Sequence, residues 1–441
     1  MTTNLTRTGG TPTNTNKYTW SAWIKRGKLS VGETIIYNYY DGNDRGYISF
    51  DASDKLFFYD RDTSEQNNCY STRLLRDTCG WYHVHVLADT TQSSAGDRFK
   101  VHINGVLETL TGTTLDQNDA LGFKVATGTN QLAIGTNGDS TANPFTGLMS
   151  YIYYVDGLAI AHTQFGETDS TTGEWKIKLD PTISAYGDNG YFILKDGNSV
   201  TDQSGEGNNF TVSNGTLTKT EDCPSNIFAT INPLDNRVAA LTLTNGNTSW
   251  STDTAYGFCR STLGASKGKY YFEMKVLNQG DTDYEFGIAG NTSASSTDWL
   301  GKSGTYGYSY ESSGKLRMNG TDTASWGATY DDNDILGCAF DLDNNKLYFS
   351  KNGTWQNSAN PSNGTNGETI PASADVPNGA YFVGTGDFSG NAGQTGSYNF
   401  GNGYFGTTII SSAGTNASGI GIFEYDVPTN FTALSTKGLN E

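Results

Sequence analysis

From Lys17 onward the chain alternates Tyr18, Trp20, Ala22 and Ile24 with mostly polar partners until Gly27 interrupts. Such alternation predicts a half-buried strand followed by a turn. "TIIYNYY" (34–40) and "RGYISFDASDKLFFYD" (45–60) continue it, the latter as two strands joined at Asp51–Lys55. "GWYHVHVLAD" (80–89) and "RFKVHINGVLET" (98–109) come next, and the Asn104-Gly105 pair marks a hairpin turn. "NQLAIGTNG" and "FTGLMSYIYYVDGLAI" close this region near residue 165. Strands recurring about every 10 residues with such turns predict a two-sheet sandwich.

A second patterned region opens near residue 236. Tyr270, Phe272, Met274 and Val276 alternate, then Tyr284, Phe286 and Ile288, and a hairpin is expected around Ser312–Gly314. In "DILGCAFDLDNNKLYFSKNGTW" (334–355), Leu336, Cys338, Phe340 and Leu342 share one face and Gly337, Ala339 and Asp341 the other. Leu347, Phe349 and Lys351 resume the pattern. Between the two regions, residues 166–235 are dense in turn residues, with short strands such as "GYFILKD" and "NNFTVSN". No extended stretch places apolar residues at helical spacing. The expected fold class is therefore all-β: antiparallel sandwiches over 1–165 and 236–441, joined by a small β-rich connector over 166–235.

Composition supports this and narrows the partners. The 54 Gly, 26 Tyr and 21 Phe against 9 Pro suit short strands and tight turns. A formal charge of −18 repels phosphates and anionic lipid, so nucleic acid and membrane are not expected as partners. The N-terminus has no apolar signal core and no run approaches ~18 apolar residues, so a soluble chain made in a cytoplasm is expected. The five cysteines, Cys69, Cys79, Cys223, Cys259 and Cys338, show no zinc-type spacing. Cys69 and Cys79 are expected as free thiols rather than as a cross-loop disulfide.

Candidate chemistry is sparse. Asp341, Asp343, Asn344 and Asn345 crowd oxygen donors together, but an EF-hand starting at Asp341 would need Gly and Glu where Lys346 and Asn352 stand. The cluster reads as a strand end and a turn. His83 and His85 share a strand face and His102 lies on the next strand. Register pairing of His85 with His102 would offer a metal site, with a structural role as the alternative. Loop carboxylates Asp41, Asp44, Asp51 and Asp54 would be needed for calcium, and their spacing singles out none. No metal or cofactor is expected.

The segments "YTWSAWIK", "GWYHVHVLAD", "VHINGV" and "IGTNG…FTGLMSYIYYVDGLAI" resemble the laminin-G-like, concanavalin-A-like lectin/glucanase superfamily, which implies a jelly roll serving as lectin, glycosidase or interaction module. Glucanases of this fold carry E-x-D-x-x-E on one strand. Here Glu167 and Asp169 are followed by Thr172, Glu424 and Asp426 by Thr429, and both sets lie outside the first region. No catalytic residue, and no enzyme, is expected.

"KGKYYFEMKV", "FGIAG" and the run "D-I-L-G-C…D-L-D…K-N-G" resemble the SPRY domain. That implies a binding module with ligand-contacting loops at one end of the sandwich. The candidate ligand residues are loop aromatics expected to be exposed: Trp250, Trp299, Tyr306, Trp326 and Trp355. One or two of them are expected to touch a ligand. The stretch "GTTIISSAGTNASGIGI" (406–422) departs from the pattern as an insertion, read as an assembly hairpin.

"FGETDSTTGEW", "GYFILKD", "DQSGEGNNFTV" and "CPSNIFATINPLD" resemble a connector of bacteriophage tail and fibre proteins. This implies a non-catalytic virion surface protein, a tail-fibre or head-fibre adhesin or a capsid decoration. It would recognise a host surface glycan or other virion proteins through homo-oligomeric or multivalent display. A glycan-degrading enzyme and a purely structural virion component are the alternatives.

Overall fold

The computed structural model describes residues 3–63, 65–124, 131–138, 142–195, 197, 199–235, 241–252, 256–280, 283–292, 298–387 and 393–440. They form two compact units, Met1–Lys219 and Thr220–Glu441, each built from β-sheets as the alternation predicts.

In the first unit, eight strands run Leu110–Gly112, Glu65–Ser71, Leu56–Asp62, Arg45–Phe50, Glu33–Tyr39, Gln131–Ile134, Asn4–Arg7 and Thr211–Asn214 across one sheet. Six form the other: Tyr191–Ile193, Gly147–Asp156, Lys17–Arg26, Tyr82–Asp89, Phe99–Ile103 and Val106–Leu107. Trp20, Ile24, Ile36, Ile48, Phe58, Val84 and Ile152 belong to a single core cluster. Asn104 and Gly105 both take positive φ between the strands ending at Ile103 and starting at Val106, as the hairpin signal requires.

The stretch expected as a connector divides between the units. Tyr191–Ile193 pairs with Gly147–Asp156, and Thr211–Asn214 pairs with Asn4–Arg7, inside the first unit. Phe228 and Ile231 bridge to Ser435 and Ser261 inside the second.

The second unit's larger sheet runs Leu241–Thr244, Ser249–Thr252, Thr395–Asn399, Lys269–Asn278, Ile335–Asp341, Lys346–Lys351 and Thr354–Trp355. Glu368–Thr369 adds at Lys346–Lys351, and Thr432–Ala433 pairs parallel to Lys269–Asn278. The facing sheet runs Phe258–Ala265, Tyr381–Asp387, Tyr284–Ala289, Gly307–Glu311, Leu316–Met318 and Thr321–Thr323. Phe272, Phe286, Phe340, Phe349 and Tyr398 are among the residues of its core. The oxygen-rich turn is architecture: Asp341 accepts the Asp343 and Asn344 N–H groups and pairs with Lys269 at 2.9 Å, while Asn345 takes φ 54°. Within 404–422, Tyr404–Phe405 and Thr408–Ile409 form a short hairpin.

Both sheets of this unit are covered on their outer faces. On the larger sheet, the carboxylate of Glu273 accepts the N–H groups of Glu424 and Tyr425, the Tyr271 hydroxyl and the Asn399 amide. On the smaller one, Glu285 receives the N–H groups of Gly301 and Leu300. Burial pushes both acids up, Glu273 to about 7 and Glu285 to about 8, against these hydrogen bonds.

An acid whose pKa rises on folding holds extra protons in the native state between its unfolded and folded values. Stability is therefore fully present below about pH 4.5 and falls as pH rises toward 8. For Glu273 the contribution is on the order of 3 kcal/mol, at ~1.36 kcal/mol per unit. Urea denaturation of the native protein should therefore show a steeper loss between pH 5 and pH 8 than the Glu273→Gln variant; equal slopes would refute this.

Candidate functional site

The five aromatics expected at exposed loops occupy different settings. Trp250 is a correction: it sits within the Ser249–Thr252 strand, 2% exposed, with its ring 5.1 Å from Tyr284. That strand is flanked on both sides in the sheet, and Gly396 leaves room for the indole, since a Cβ there would lie 2.9 Å from Nε1. The other four are half-buried. Trp299 lies 5.9 Å from Tyr256 with Lys302 Nζ 5.1 Å over its ring. Tyr306, at φ 48°, donates its N–H to Asn319. Trp326 donates Nε1–H to Glu368 at 2.7 Å and stands edge-on to Phe349. Trp355 packs instead on the cluster containing Tyr271 and Phe423. Trp326 and Trp355 thus anchor two separate clusters.

Two further arrangements resemble chemical sites: one is enclosed and the other is small. Glu285 and Glu311 face each other across neighbouring strands with Arg317 bonded to both, and both glutamates are 0% exposed. This is an internal ion network. A cavity of about 20 Å³ in the first unit is lined by Tyr18, Phe58, Phe99, Phe123, Asp60 and Cys69. It has room for about one water. The cysteines are all free, Cys69 and Cys79 included.

The histidines do meet. His85 and His102 are register partners with rings 5.4 Å apart, and His102 stacks on His162 at 3.9 Å. Even so, no group of three or more His, Cys, Asp or Glu side chains among the described residues is arranged to hold a metal ion. The loop carboxylates considered for calcium bind the chain itself. Asp41 and Asp51 cap their own turns, Asp44 accepts the Thr63 N–H, and Asp54 pairs with Arg26 and Arg76.

His83 has a fixed proton. Trp175 Nε1–H can only donate, so its 3.0 Å bond to His83 Nδ1 leaves the imidazole proton on Nε2, which donates to Ser21 Oγ at 2.8 Å. Burial and the neighbouring His162 and His102 push His83 down to about 3, and burial with His162 pushes His102 down to about 4. Because the unfolded chain takes up these protons below its value of 6.5, the stability they contribute is present at pH 7 and lost as pH falls. Hydrogen exchange of the Tyr82–Asp89 strand, corrected for intrinsic rates, should lose protection between pH 6.5 and pH 4. Replacing His83 by Gln should weaken that dependence; an unchanged profile would contradict it.

The outward face of the first unit's eight-stranded sheet offers a partly exposed aromatic surface, in which Tyr37 and Tyr59 are buried at 9% and 6% exposure and the rings around them are more accessible. Ile36, Ile48, Phe58 and Cys69 point into the core, so their neighbours in sequence point away. Register places Tyr37, Tyr47, Tyr59 and Asn68 in one row. Tyr39, Arg45, Arg61 and Gln66 form a second row, and Ser49, Phe57, Tyr70 and Thr111 a third. Tyr47 stacks on Tyr37 at 5.6 Å and on Tyr59 at 4.7 Å, and Phe57 stacks on Tyr70 at 4.5 Å. Tyr39 is 38% exposed, and Tyr47, Phe57 and Tyr70 are half-buried. Burial pushes Tyr47 up to about 12, so its hydroxyl remains a donor at neutral pH. The face thus combines apolar ring surface with hydroxyl, amide and guanidinium groups, the mixture that recognises sugars. Sequence reasoning placed the ligand residues in the second unit and missed this face. Its signal was present in "TIIYNYY" and "LFFYD", where aromatic residues occupy both faces of a strand.

Residues 2–158 match the family described as the Concanavalin A-like lectin/glucanases superfamily, and residues 269–372 match the SPRY domain. ATP-dependent RNA helicase DDX1 of Xenopus laevis is 36% identical over 95 residues, covering 22% of this chain and 12% of the helicase. Dual specificity protein kinase splA of Dictyostelium discoideum is 29% identical over 104 residues, 24% of this chain and 4% of the kinase. The chain spans only a small part of either relative. Among solved structures, the SPRY domain of human HERC1 aligns at 17% identity and TM-score 0.31, covering 38% of this chain and 96% of that one. A heptameric SAP-like pentraxin from Limulus polyphemus aligns at 16% identity and TM-score 0.28, covering 36% and 72%. The polypeptide carries a laminin-G/concanavalin-A-like domain and a SPRY domain in one chain.

Proposed function

We propose that this chain is a non-catalytic recognition protein that holds a glycan on the tyrosine face of its first unit. The observation that carries the reading is the register-aligned row Tyr37–Tyr47–Tyr59, bordered by Asn68, Gln66 and Arg45. Sugar rings present C–H faces and hydroxyls together, and a sheet bearing aromatic rings beside amides and hydroxyls meets both. A fixed sheet also positions these groups without ordering loops on binding, which reduces the entropy cost.

The setting proposed is the surface of a bacteriophage particle, as a tail-fibre or head-fibre adhesin or a capsid decoration. The wording of residues 166–235, which resembles connectors of phage tail and fibre proteins, supports it. Host surface glycan is the ligand, other virion proteins hold the chain in place, and repeated copies raise the avidity of weak single sites. The SPRY domain, with its half-buried Trp299, Tyr306, Trp326 and Trp355, supplies the docking surface toward those proteins.

The test is binding of the purified chain to an array of bacterial surface polysaccharides, with product analysis for released reducing ends. Saturable binding without cleavage is expected, and Tyr47→Ala, with its fold checked by circular dichroism, should weaken it about tenfold or more. Released reducing ends would replace the reading with a glycan-degrading enzyme. Absence of binding, with specific docking to particles, would leave a structural component.

A further inference from the structure

Two arginines stand directly opposite one another on the tyrosine face. Arg45 and Arg61 are register partners on neighbouring strands, each half-buried, in a chain of formal charge −18. Like charges placed opposite each other across a sheet repel, so a pair of this kind costs stability unless an anion lies between them.

None of the described carboxylates nearby forms an ion pair with either arginine. Asp41 caps the turn leading into the Arg45–Phe50 strand, and Asp44 accepts the Thr63 N–H. Asp60 lies on the inner face, where it accepts the N–H groups of Gly122 and Phe123, and Asp62 pairs with Lys124 at 2.6 Å. Among the described residues neither arginine has an ion pair, whereas Arg26, Arg73, Arg76, Arg260 and Arg317 each have at least one. The protein contacts that Arg45 and Arg61 do make are neutral. Arg45 donates to the Tyr59 hydroxyl at 3.3 Å with its guanidinium 5.4 Å over that ring, and Arg61 donates to Asn43 at 3.3 Å. The Nε atom of each is buried and has no hydrogen-bond partner. A guanidinium carries five donors in a planar fork that fits a carboxylate or sulfate at two points. The pair therefore keeps donor capacity beside the tyrosine row.

We infer that Arg45 and Arg61 form an anion subsite in the row beside the tyrosines, and that the ligand is an acidic glycan whose uronate or sulfate group sits between them. The inference rests on the glycan reading of this face. The tyrosine rows hold the sugar ring and the arginine pair selects its charge. Because the rest of the molecule is strongly acidic, an anionic glycan is favoured at this face and repelled elsewhere, so the pair also fixes where the ligand binds.

The experiment uses the full chain and a panel of uronate-rich bacterial polysaccharides, each alongside its carboxyl-reduced form, which differs only in charge. The native protein should bind at least one acidic form ten times or more tighter than its reduced counterpart. The double variant Arg45→Gln/Arg61→Gln should lose that ratio, its affinity for the acidic form falling to within about twofold of its own affinity for the reduced form. Arg45→Lys/Arg61→Lys, which keeps charge without the fork, should fall between. Equal binding of acidic and reduced forms by the native protein would overturn the anion subsite and leave the glycan reading standing. Binding to neither form of any member would overturn both. Tighter binding of polyglutamate than of any polysaccharide would overturn the subsite's sugar specificity in favour of an acidic protein partner.

Discussion

Both units depend on one recurring contact, a buried carboxylate that receives backbone N–H groups from a segment lying over a sheet. A covering segment has no ladder of its own, so its N–H groups would be buried without partners. Asp60 takes those of Gly122 and Phe123, Asp156 those of Thr13 and Asn189, and Glu273 those of Glu424 and Tyr425. One side chain thereby satisfies two donors and fixes a loop in position. The cost is desolvation of the charge, visible in Asp60, Asp156, Glu273 and Glu285, all raised above the ordinary carboxylate value.

This contact also decides which surfaces remain free. In the second unit the outer side of the larger sheet is packed by Phe228, Phe423, Val427 and Phe431, and the smaller sheet carries Leu300 against Phe258 and Ala289. In the first unit Phe165 and Phe192 pack with Tyr153 and Val155 of the six-stranded sheet. Among the described residues no apolar cluster of this kind packs over the rows around Tyr47, and Tyr39, Tyr47, Phe57 and Tyr70 remain at least partly exposed there, while Tyr37 and Tyr59 are buried.

Much of the fold was legible because alternation reports directly on which residues face the core. The Asp341 turn, the Asn104-Gly105 hairpin and the paired strands around Phe340 and Phe349 all lie where their residues indicate. The candidate site was less legible. Trp250 looked like a loop residue because "NGNTSWST" is rich in turn formers, yet the segment pairs on both sides within a sheet, and its indole is drawn into the core. The tyrosine face escaped for the opposite reason. A period of two says which residues point inward, but whether the other face is covered depends on segments distant in sequence, such as 423–431 in the second unit. His85 and His102 show a third case: the register was anticipated, while the stack on His162 came from a segment the strand pattern does not address.

Aromatic residues on both faces of the strands from Glu33 to Ser71 also bear on how this sheet is assembled. In an ordinary strand a slip by one residue buries polar groups and is rejected at once. Here a slip would exchange Tyr47 for Ile48 and Tyr59 for Phe58, apolar for nearly apolar, so at these positions hydrophobicity would scarcely object. The penalty comes from Arg45 and Arg61, which the slip would turn inward. Rejection of the wrong alignment falls also to the charged residues at the strand ends: Arg26 with Asp54, and Lys124 with Asp62. The doubly aromatic sheet is thus one on which misalignment is weakly policed by hydrophobicity, and a few charged residues act as its proofreaders.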